Sequence, residues 1–361
     1  MTEAAWNMSI ITIIGAGMMG TALCWPLVDN GHSVRLVGTP LDNEPVASMR
    51  STGLHPRLSR KIPEQVQLFD HTQMKEALEE AEFLASGVSS FGVRWFIETV
   101  GPSLKPGVPV IAVTKGLVDA ENGDFQILPE FIDAQLPSQL RGRISLNAIG
   151  GPCIAHELAA RRQTGVVFCG RDENVLDRLR ETFHTDYYHI WTSLDMVGVE
   201  VCAALKNAYA LGVGLAVGMV EKAGADGLAH MYNPQAALFA QSCLEMRHFL
   251  ELLGGGVDNI AGLPGAGDLY VTVFGGRTVR MGRLLGMEIP YPEAREIMAG
   301  ETLESVEIIT RLGRALPKLE ARGVIRAGKF PLMQHLYRII HEGEKVKIPW
   351  EMFFSSDRMG E

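Results

Sequence analysis

The sequence lacks the residue patterns that mark several classes of protein. Its five cysteines are widely spaced and include no CxxC pair, so we predict free thiols in a reducing compartment and no metal site. Basic residues are not in excess, since 33 Lys and Arg face 42 Asp and Glu, which argues against a nucleic-acid partner. The first nine residues contain Glu3 and no basic stretch, which argues against a signal peptide and favours a cytoplasmic protein.

One hydrophobic run, Val201–Val220, is long enough to resemble a membrane span. Lys206 and Asn207 interrupt it, and a lysine at the centre of a bilayer costs roughly 3 kcal/mol. The run therefore predicts a helix buried in a globular domain and no membrane span. Because burial lowers the pKa of a lysine, Lys206 is a candidate for proton transfer. The alternative is an ion pair with Glu200, although residues six apart do not share a helix face.

Length and composition predict two folded domains. A chain of 361 residues, 47% hydrophobic and 21% charged, has ample apolar surface for a core. From residue 10 to about 190, apolar β-branched runs alternate with helical stretches, a pattern typical of a mostly parallel, doubly wound sheet covered on both faces. The predicted strands are Ile10–Ile14, Val34–Val37, Phe83–Val88, Val110–Val113, Ile144–Ile149, Val166–Cys169 and Tyr188–Trp191.

After about Ser193 the β-branched runs nearly disappear and long helical patterns follow. We therefore predict a Rossmann-type dinucleotide-binding domain over residues 1–193 and an all-helical domain over residues 194–361. The predicted helices are Val197–Glu221, Pro234–Leu253, Asp268–Leu285, Tyr291–Ala299, Leu303–Glu320 and Pro331–Glu342.

A glycine-rich loop follows the first predicted strand and precedes a helical pattern. In the series Gly15-Ala16-Gly17-Met18-Met19-Gly20, the first glycine permits a tight turn and the second lets the backbone approach a pyrophosphate. The third lets the helix pack closely on the strand. Together with the unpaired N–H groups of the helix start, this arrangement predicts a dinucleotide site.

The residues after the second strand leave the choice of dinucleotide open. An NAD site needs an acidic residue just after Val37, but the first acids are Asp42 and Glu44. No arginine stands at that point to favour NADP, and Arg50 is the nearest later candidate. We predict NAD, with NADP as the alternative.

Three further features suggest a polar site. Lys115 follows a parallel strand, at the sheet edge where such folds bind ligands, and a solvated loop lysine is an equal alternative. Asp268 follows a glycine-rich loop, where it could also be a simple N-cap, and Thr272 lies one turn further on. The turn at Gly275–Thr278 combines backbone N–H groups with a guanidinium and suits an oxyanion such as phosphate.

Taken as an ordered set, these motifs resemble NAD-dependent glycerol-3-phosphate dehydrogenase of the soluble bacterial and archaeal type, from Ile11 to about Glu342. The set that carries the resemblance is Gly15–Gly20, Lys115-Gly116, Gly151-Pro152 with Ala155 and Glu157, Leu205-Lys206-Asn207, Gly267-Asp268-Leu269 with Thr272, and Gly275-Gly276-Arg277. The resemblance implies a fold similar to 6-phosphogluconate dehydrogenase. It also implies reversible hydride transfer between a nicotinamide cofactor and glycerol 3-phosphate, giving dihydroxyacetone phosphate, in glycerophospholipid and carbohydrate metabolism.

The resemblance also implies roles for individual residues. Lys206 would be the general acid/base, Lys115 would hold the substrate oxygens, and Asn207, Asp268 and Thr272 would orient Lys206 and the substrate hydroxyl. Arg277 and Thr278 would hold the phosphate, although the family usually has Asn in place of Thr278. The residues implied in cofactor binding are Gly15, Ala16, Gly17, Met18, Met19, Gly20, Lys115, Ala155, Arg277 and Glu304.

Two other functions remain open from the sequence. One is a related dehydrogenase that acts on another polyol phosphate or a hydroxy acid. This alternative stays open because Thr278 replaces the usual Asn of the family. The other is a non-catalytic dinucleotide sensor, which would need only the glycine loop. The apolar helices of the second domain make a homodimer an expectation.

Overall fold

The computed structural model describes residues 8–224 and 232–354; Glu3, used above to argue against a signal peptide, lies outside them. The described residues contain twelve strands, and each of the seven predicted strands has a counterpart among them. They are β1 Ile10–Ile14, β2 Ser33–Val37, β3 Leu54–His55, β4 Arg60–Lys61, β5 Gln67–Phe69, β6 Phe83–Ser86, β7 Val110–Ala112, β8 Leu117–Asp119, β9 Phe125–Ile127, β10 Leu146–Gly150, β11 Thr164–Cys169 and β12 Tyr188–Ser193.

The α-helices of the described residues alternate with these strands up to β12 and follow one another afterwards. They are α1 Met18–Ala22, α2 Cys24–Asp29, α3 Asn43–Thr52, α4 Met74–Ala77, α5 Val93–Thr99, α6 Leu128–Gln135, α7 Ala155–Ala159, α8 Glu173–Phe183, α9 Met196–Ala223, α10 Tyr232–Leu253, α11 Asp268–Val273, α12 Gly276–Gly286, α13 Tyr291–Ile297, α14 Glu304–Ala321, α15 Pro331–His341 and α16 Trp350–Phe353.

The chain divides into two units. The first unit contains the described residues up to Lys115 and the segment Leu128–Glu200; the second contains Gly116–Ile127 and the described residues from Val201 onward. The chain thus crosses between units three times, whereas the sequence predicts one boundary after residue 193. The short segment groups with the helices because its β8–β9 hairpin packs on α14.

The first unit is built on an eight-stranded sheet in the order β12-β11-β10-β7-β6-β1-β2-β5. All neighbours are parallel except β10 and β11, which are antiparallel. The inner strands are buried on consecutive residues, as in Ile11, Ile13 and Ile14 of β1, because helices cover both faces of such a sheet. This confirms the predicted doubly wound, mostly parallel fold, to which β5 adds a short edge strand.

Among the described residues of the second unit, the regular structure is helical apart from the β8–β9 hairpin. Two salt bridges attach this hairpin to α14: Arg311 contacts Asp119 at 3.3 Å, and Arg322 contacts Asp124 at 2.8 Å. The longest helix, α9, is apolar enough by length and composition to cross a membrane, but 94% of its most apolar stretch is buried inside the protein. It is therefore a core helix of the fold, as its interrupted hydrophobic run predicts.

Glycines bring α9 and α12 into backbone contact. A Cβ added at Gly218 of α9 would lie 2.0 Å from the carbonyl oxygen of Arg283, and one added at Gly282 of α12 would lie 2.2 Å from that of Leu211. Only glycine permits such an approach, so α12 is held against α9 along its length. This packing holds α12 against the middle of α9.

The helical pattern predicted over Asp268–Leu285 is not one continuous helix; it is divided at the turn that the sequence predicts around Gly275. The structure has two helices there, α11 and α12, separated at Phe274 and Gly275. Gly275 is extended and Gly276 has φ +85°, a left-handed conformation that ends one helix and redirects the chain into the next. The break leaves the first N–H groups of α12 without a side-chain cap.

Candidate functional site

The three glycines of the first loop have three different surroundings. Gly15 has φ +106°, and a Cβ there would lie 2.8 Å from the backbone of Gly87. A Cβ at Gly20 would lie 2.1 Å from the carbonyl oxygen of Gly15, so α1 could not pack on the loop. A Cβ at Gly17, by contrast, would meet no atom within 4 Å. Gly17 therefore faces open space at the uncapped start of α1, where a pyrophosphate fits.

The other predicted residues of this loop are partly or fully buried. Ala16 is buried, and Met18 and Met19 pack against the hydrophobic core of the first unit. Ala155 belongs to the same core, at the start of α7, and α7 packs against α1. The structure thus brings Ala155 to the helix that carries the glycine loop.

His55 supports the loop from beneath, a role that the sequence did not reveal. Its Nδ1 accepts a hydrogen bond from the N–H of Leu58 at 3.1 Å, so its Nε2 donates to the carbonyl oxygen of Ala16 at 3.1 Å. Burial lowers the pKa of His55, which keeps the ring neutral and this tautomer fixed. No local sequence motif around His55 indicates this contact.

Asp42 lies shortly after the end of β2 and accepts a hydrogen bond from the glycine loop. Its Oδ2 accepts hydrogen bonds from the N–H of Thr39 at 2.8 Å, from the Thr39 hydroxyl at 2.7 Å and from the N–H of Ala16 at 3.1 Å. A cleft of about 320 Å³ opens beside it, lined among others by Gly38 and Arg50. In this fold class an acidic residue at the end of the second strand holds the dinucleotide ribose, and Asp42 is the first acidic residue after that strand.

Lys115 lies in the loop after β7, the position that the sequence predicts, and is partly buried. The preceding Thr114 donates a hydrogen bond to the carbonyl oxygen of Val88 at 2.7 Å, which fixes the loop against the end of β6. The positive charge of Lys115 acts on Glu200, the last residue of the first unit.

In the second unit, Lys206 and Asp268 form a buried ion pair. Lys206 lies on α9 with its side chain 11% exposed, and its ammonium donates to Oδ1 of Asp268, which is fully buried. Asp268 is the first residue of α11; the N-cap is Gly267, so the carboxylate serves Lys206 and is not a cap. The π-helical turn Leu263–Gly267 delivers it, with Gly265 too close to Asn259 and Ile260 for any side chain.

Thr272 and Asn207 flank this pair. The Thr272 hydroxyl donates to the main-chain oxygen of Asp268 at 2.6 Å, one turn back on α11. Asn207 follows Lys206 on α9 and is partly exposed. The structure therefore places Lys206, Asp268 and Thr272 in one cluster, with Asn207 beside it on the helix.

Arg277 and Glu304, both predicted near the cofactor, lie close to each other. The guanidinium of Arg277 is 3.7 Å from the carboxylate of Glu304, the first residue of α14. The Arg277 side chain is 39% exposed at the uncapped start of α12, whereas Thr278 is buried. An accessible guanidinium fork beside unpaired helix N–H groups suits a phosphate dianion.

Each unit thus offers one half of a dehydrogenase. The first unit has an open glycine, an uncapped helix and a carboxylate after β2, which together fit a nicotinamide dinucleotide. The second unit has a buried ammonium held by a carboxylate and a turn suited to phosphate. Among the described residues, no cluster of His, Cys, Asp and Glu could hold a metal ion.

Comparisons with known proteins agree with this chemistry. The family model described as NAD-dependent glycerol-3-phosphate dehydrogenase N-terminus matches residues 10–176, and its C-terminal counterpart matches residues 195–351. The NADP(+)-dependent glycerol-3-phosphate dehydrogenase of Archaeoglobus fulgidus is 34% identical over 341 residues, which cover 94% of this chain and 97% of the relative. The NAD(P)+ glycerol-3-phosphate dehydrogenase of Symbiobacterium thermophilum is 30% identical, covering 92% of this chain and 90% of the relative.

A solved structure gives the same result for the fold. The crystal structure of glycerol-3-phosphate dehydrogenase from Coxiella burnetii matches with a TM-score of 0.78 at 27% identity, covering 96% of this chain and 98% of that one. These matches confirm the resemblance, the fold class, the predicted oxidoreductase and its use of NAD or NADP. The chain belongs to the NAD-dependent glycerol-3-phosphate dehydrogenase family.

Proposed function

We propose that the protein catalyses the reversible reduction of dihydroxyacetone phosphate to glycerol 3-phosphate by NADH or NADPH, with Lys206 as the general acid/base. The observation that carries this proposal is the buried pair of Lys206 and Asp268. A buried cation is costly, and a chain that buries one on an apolar helix gains a group that can transfer a proton where water is scarce.

In the direction of reduction, Lys206 gives its proton to the carbonyl oxygen of the substrate as hydride reaches the carbonyl carbon. Asp268 holds the ammonium in place before transfer and accepts a hydrogen bond from the neutral amine after it. The Thr272 hydroxyl anchors Asp268 through its main chain. In the reverse direction the neutral amine of Lys206 takes the proton from the substrate hydroxyl.

Arg277 and Thr278 are proposed to hold the phosphate at the start of α12. The guanidinium of Arg277 can make two parallel hydrogen bonds to a phosphate, and the first N–H groups of α12 add donors and a positive dipole end. Because the phosphate is remote from the reacting carbon, its binding energy serves to orient the carbonyl.

The nicotinamide cofactor supplies the hydride when it is bound. We assign its binding to the glycine loop residues Gly15–Gly20 with Ala155, and to Lys115, Arg277 and Glu304 as the resemblance implies. Gly17 leaves room for the pyrophosphate, and His55 holds the loop from below. Lys115 is further proposed to hold the substrate oxygens, and Asn207 to orient the hydroxyl.

Three wider statements belong to the same proposal. A cytoplasmic location fits the five cysteine thiols. A homodimer fits the apolar helices of the second unit. A place in glycerophospholipid and carbohydrate metabolism follows from the substrate pair.

A reductase assay tests the proposal. Purified protein is mixed with dihydroxyacetone phosphate and NADH, and in parallel NADPH, and loss of reduced-nicotinamide absorbance is followed. The same assay is run with unphosphorylated dihydroxyacetone, other polyol-phosphate ketones and 2-oxo acids. We expect turnover of dihydroxyacetone phosphate that depends on the phosphate group of the substrate. Faster turnover of another substrate class favours the related dehydrogenase, and binding of NADH without any turnover favours the sensor.

A further inference from the structure

His55 is fully buried, and each of its ring nitrogens has one defined hydrogen bond. It lies in β3, and its Nδ1 accepts a hydrogen bond from the N–H of Leu58 at 3.1 Å. A neutral imidazole carries one N–H group, so Nε2 donates to the carbonyl oxygen of Ala16 at 3.1 Å. Leu58 is part of the hydrophobic core of the first unit, which holds the ring in one orientation. The single donor of His55 is therefore used on the glycine loop.

Side chains hold Ala16 at both of its backbone groups. The N–H of Ala16 donates to Oδ2 of Asp42 at 3.1 Å, and its carbonyl oxygen accepts from His55. Asp42 therefore fixes the peptide group that precedes Ala16, and His55 fixes the peptide group between Ala16 and Gly17. The two side chains come from positions 26 and 39 residues away along the chain, so this loop is held by tertiary contacts and not by its own sequence alone.

The contact with His55 decides where the N–H of Gly17 points. No peptide bond among the described residues is cis, and in a trans peptide the C=O and the following N–H point in opposite directions. Because the carbonyl of Ala16 points to His55, the N–H of Gly17 points away from His55. A Cβ added at Gly17 would meet no atom within 4 Å, and this N–H donates to no acceptor within the described part of the chain. The donor is thus directed to the open side of the loop.

The glycine at position 17 makes such a hydrogen bond necessary. Reversal of the peptide plane between Ala16 and Gly17 changes ψ of Ala16 and φ of Gly17. Gly17 has φ −72°, and a reversed peptide needs a positive φ, which residues with a Cβ disfavour and glycine accepts. The residue that leaves room for a pyrophosphate therefore also frees the peptide to reverse and direct its carbonyl oxygen outward. The hydrogen bond from His55 opposes that reversal.

We propose that His55 is a positioning residue for the nicotinamide cofactor, which fixes the peptide between Ala16 and Gly17 so that the N–H of Gly17 is directed at the pyrophosphate. This role rests on the proposed function, in which the glycine loop binds that group. An outward carbonyl oxygen would repel the phosphate oxygens, whereas an outward N–H donates to them. The hydrogen bond from His55 therefore contributes to the affinity for the cofactor and not to that for the substrate.

Two substitutions separate the hydrogen bond to Ala16 from the one to Leu58. His55→Asn has a carbonyl oxygen at the distance of Nδ1, so it keeps an acceptor for Leu58 and is too short to reach Ala16. His55→Gln has an amide N–H at the distance of Nε2, so it keeps a donor for Ala16. His32→Asn is the matched control, because His32 is another buried histidine of the first unit, and its Nδ1 accepts from the N–H of Ser9 at 3.3 Å.

The test measures the Kd of NADH and, in parallel, of NADPH by fluorescence titration without substrate, and melting curves without ligand. We expect His55→Asn to weaken cofactor binding roughly 10-fold and His55→Gln to bind close to wild type. The two variants should melt at similar temperatures, because each loses one hydrogen bond. The kcat and the KM for dihydroxyacetone phosphate at saturating cofactor should stay at wild-type values in both, and His32→Asn should keep the wild-type Kd. Equal cofactor affinities in His55→Asn and His55→Gln overturn the role of His55.

A measurement on wild type guards against poor folding of the variants. In amide NMR spectra, the proton of the Gly17 N–H should move downfield when the cofactor is added, as expected of a donor that binds a phosphate oxygen. Bound cofactor with an unmoved Gly17 amide overturns the role of His55 alone, since the reductase activity is measured separately. Neither binding nor turnover of NADH or NADPH in wild type overturns the proposed function and this role with it.

Discussion

The candidate sites of the two units consist of different chemical groups. In the first unit, the proposed dinucleotide site is made mostly of backbone: two glycines without room for a Cβ, one glycine facing open space, and N–H groups at a helix start, with the Asp42 carboxylate beside them. In the second, the site is made of side-chain pairs, Lys206 with Asp268 and Arg277 beside Glu304. The first site depends on shape, and the second on charge.

This difference predicts how each site fails. A backbone site is damaged by adding atoms, because any Cβ either clashes with the loop or fills the space for the ligand. A paired site is damaged by removing atoms, because the remaining partner is left buried without its counter-charge. We therefore expect added side-chain atoms to damage the site of the first unit and removed side-chain atoms to damage the site of the second.

The largest effect is expected for Lys206→Ala. Loss of general acid catalysis should lower kcat by about 10²–10⁴-fold. The substitution also breaks a buried ion pair, so the free energy of unfolding should fall by about 3–5 kcal/mol. Steady-state kinetics and thermal melting check both. Lys222→Ala, an exposed lysine at the end of the same helix, is the matched control and should retain activity and stability. A near-normal kcat would remove Lys206 from the mechanism.

Gly17→Ala and Gly20→Ala probe the contrast within the backbone site. The Cβ added at Gly17 would enter open space and meet the pyrophosphate, so NADH affinity should fall about 30-fold, or about 2 kcal/mol, with the melting temperature unchanged. The Cβ added at Gly20 would clash with Gly15, so that variant should melt earlier even without ligand. NADH titration and melting curves distinguish the two. Wild-type affinity in Gly17→Ala would show that the dinucleotide does not approach there.

Arg277→Lys tests the paired site at its phosphate end. The substitution keeps the charge and removes the two-pronged hydrogen bond, so kcat/KM for dihydroxyacetone phosphate should fall at least about 10-fold, or about 1.4 kcal/mol. Unphosphorylated dihydroxyacetone should lose little. Arg280→Lys, one turn further along α12 and paired with Glu301, is the control. Equal, weak responses of both substrates would point to a solvated arginine and away from phosphate binding.

The smallest effect concerns the choice of cofactor. The Asp42 carboxylate, bonded to Thr39 and Ala16, should repel the 2′-phosphate of NADP, so kcat/KM should favour NADH. Asp42→Asn keeps an acceptor for the N–H groups of Thr39 and Ala16. It should narrow the kcat/KM preference for NADH over NADPH by about 3- to 10-fold. Glu44→Gln, an exposed neighbour on α3, should leave it unchanged. A clear advantage for NADPH in wild type would place the 2′-phosphate away from Asp42.

The features that could be predicted from sequence are those fixed by near neighbours. Strands such as β1 are apolar on consecutive residues, and the glycine loop carries its spacing within six positions. The edge strand β5 escaped prediction because three residues, partly exposed, show no pattern. The helical pattern over Asp268–Leu285 runs through Gly275 and Gly276, but the turn predicted at Gly275–Thr278 marks the place where α11 and α12 separate.

Contacts between distant residues could not be predicted in the same way. Lys206 and Asp268 are 62 residues apart, and only the fold brings them together. Reasoning from the residues alone identified Lys206 as a buried lysine and gave an ion pair with Glu200 as the alternative. Only the family resemblance implied that Asp268 orients Lys206, and the structure pairs these two residues. His55 has no motif of its own, and its contact with Ala16 spans 39 residues.

Whether Lys206 supplies the proton, on which the proposed mechanism depends, is decided by Lys206→Arg. An arginine keeps a positive charge beside Asp268, so the protein should melt as wild type does, but a guanidinium does not release its proton near neutral pH. The measurement is kcat for dihydroxyacetone phosphate reduction at saturating NADH. We expect a kcat lower by at least about 10²-fold with an unchanged melting temperature. A kcat close to wild type in this variant would refute proton transfer by Lys206, because charge alone would then suffice.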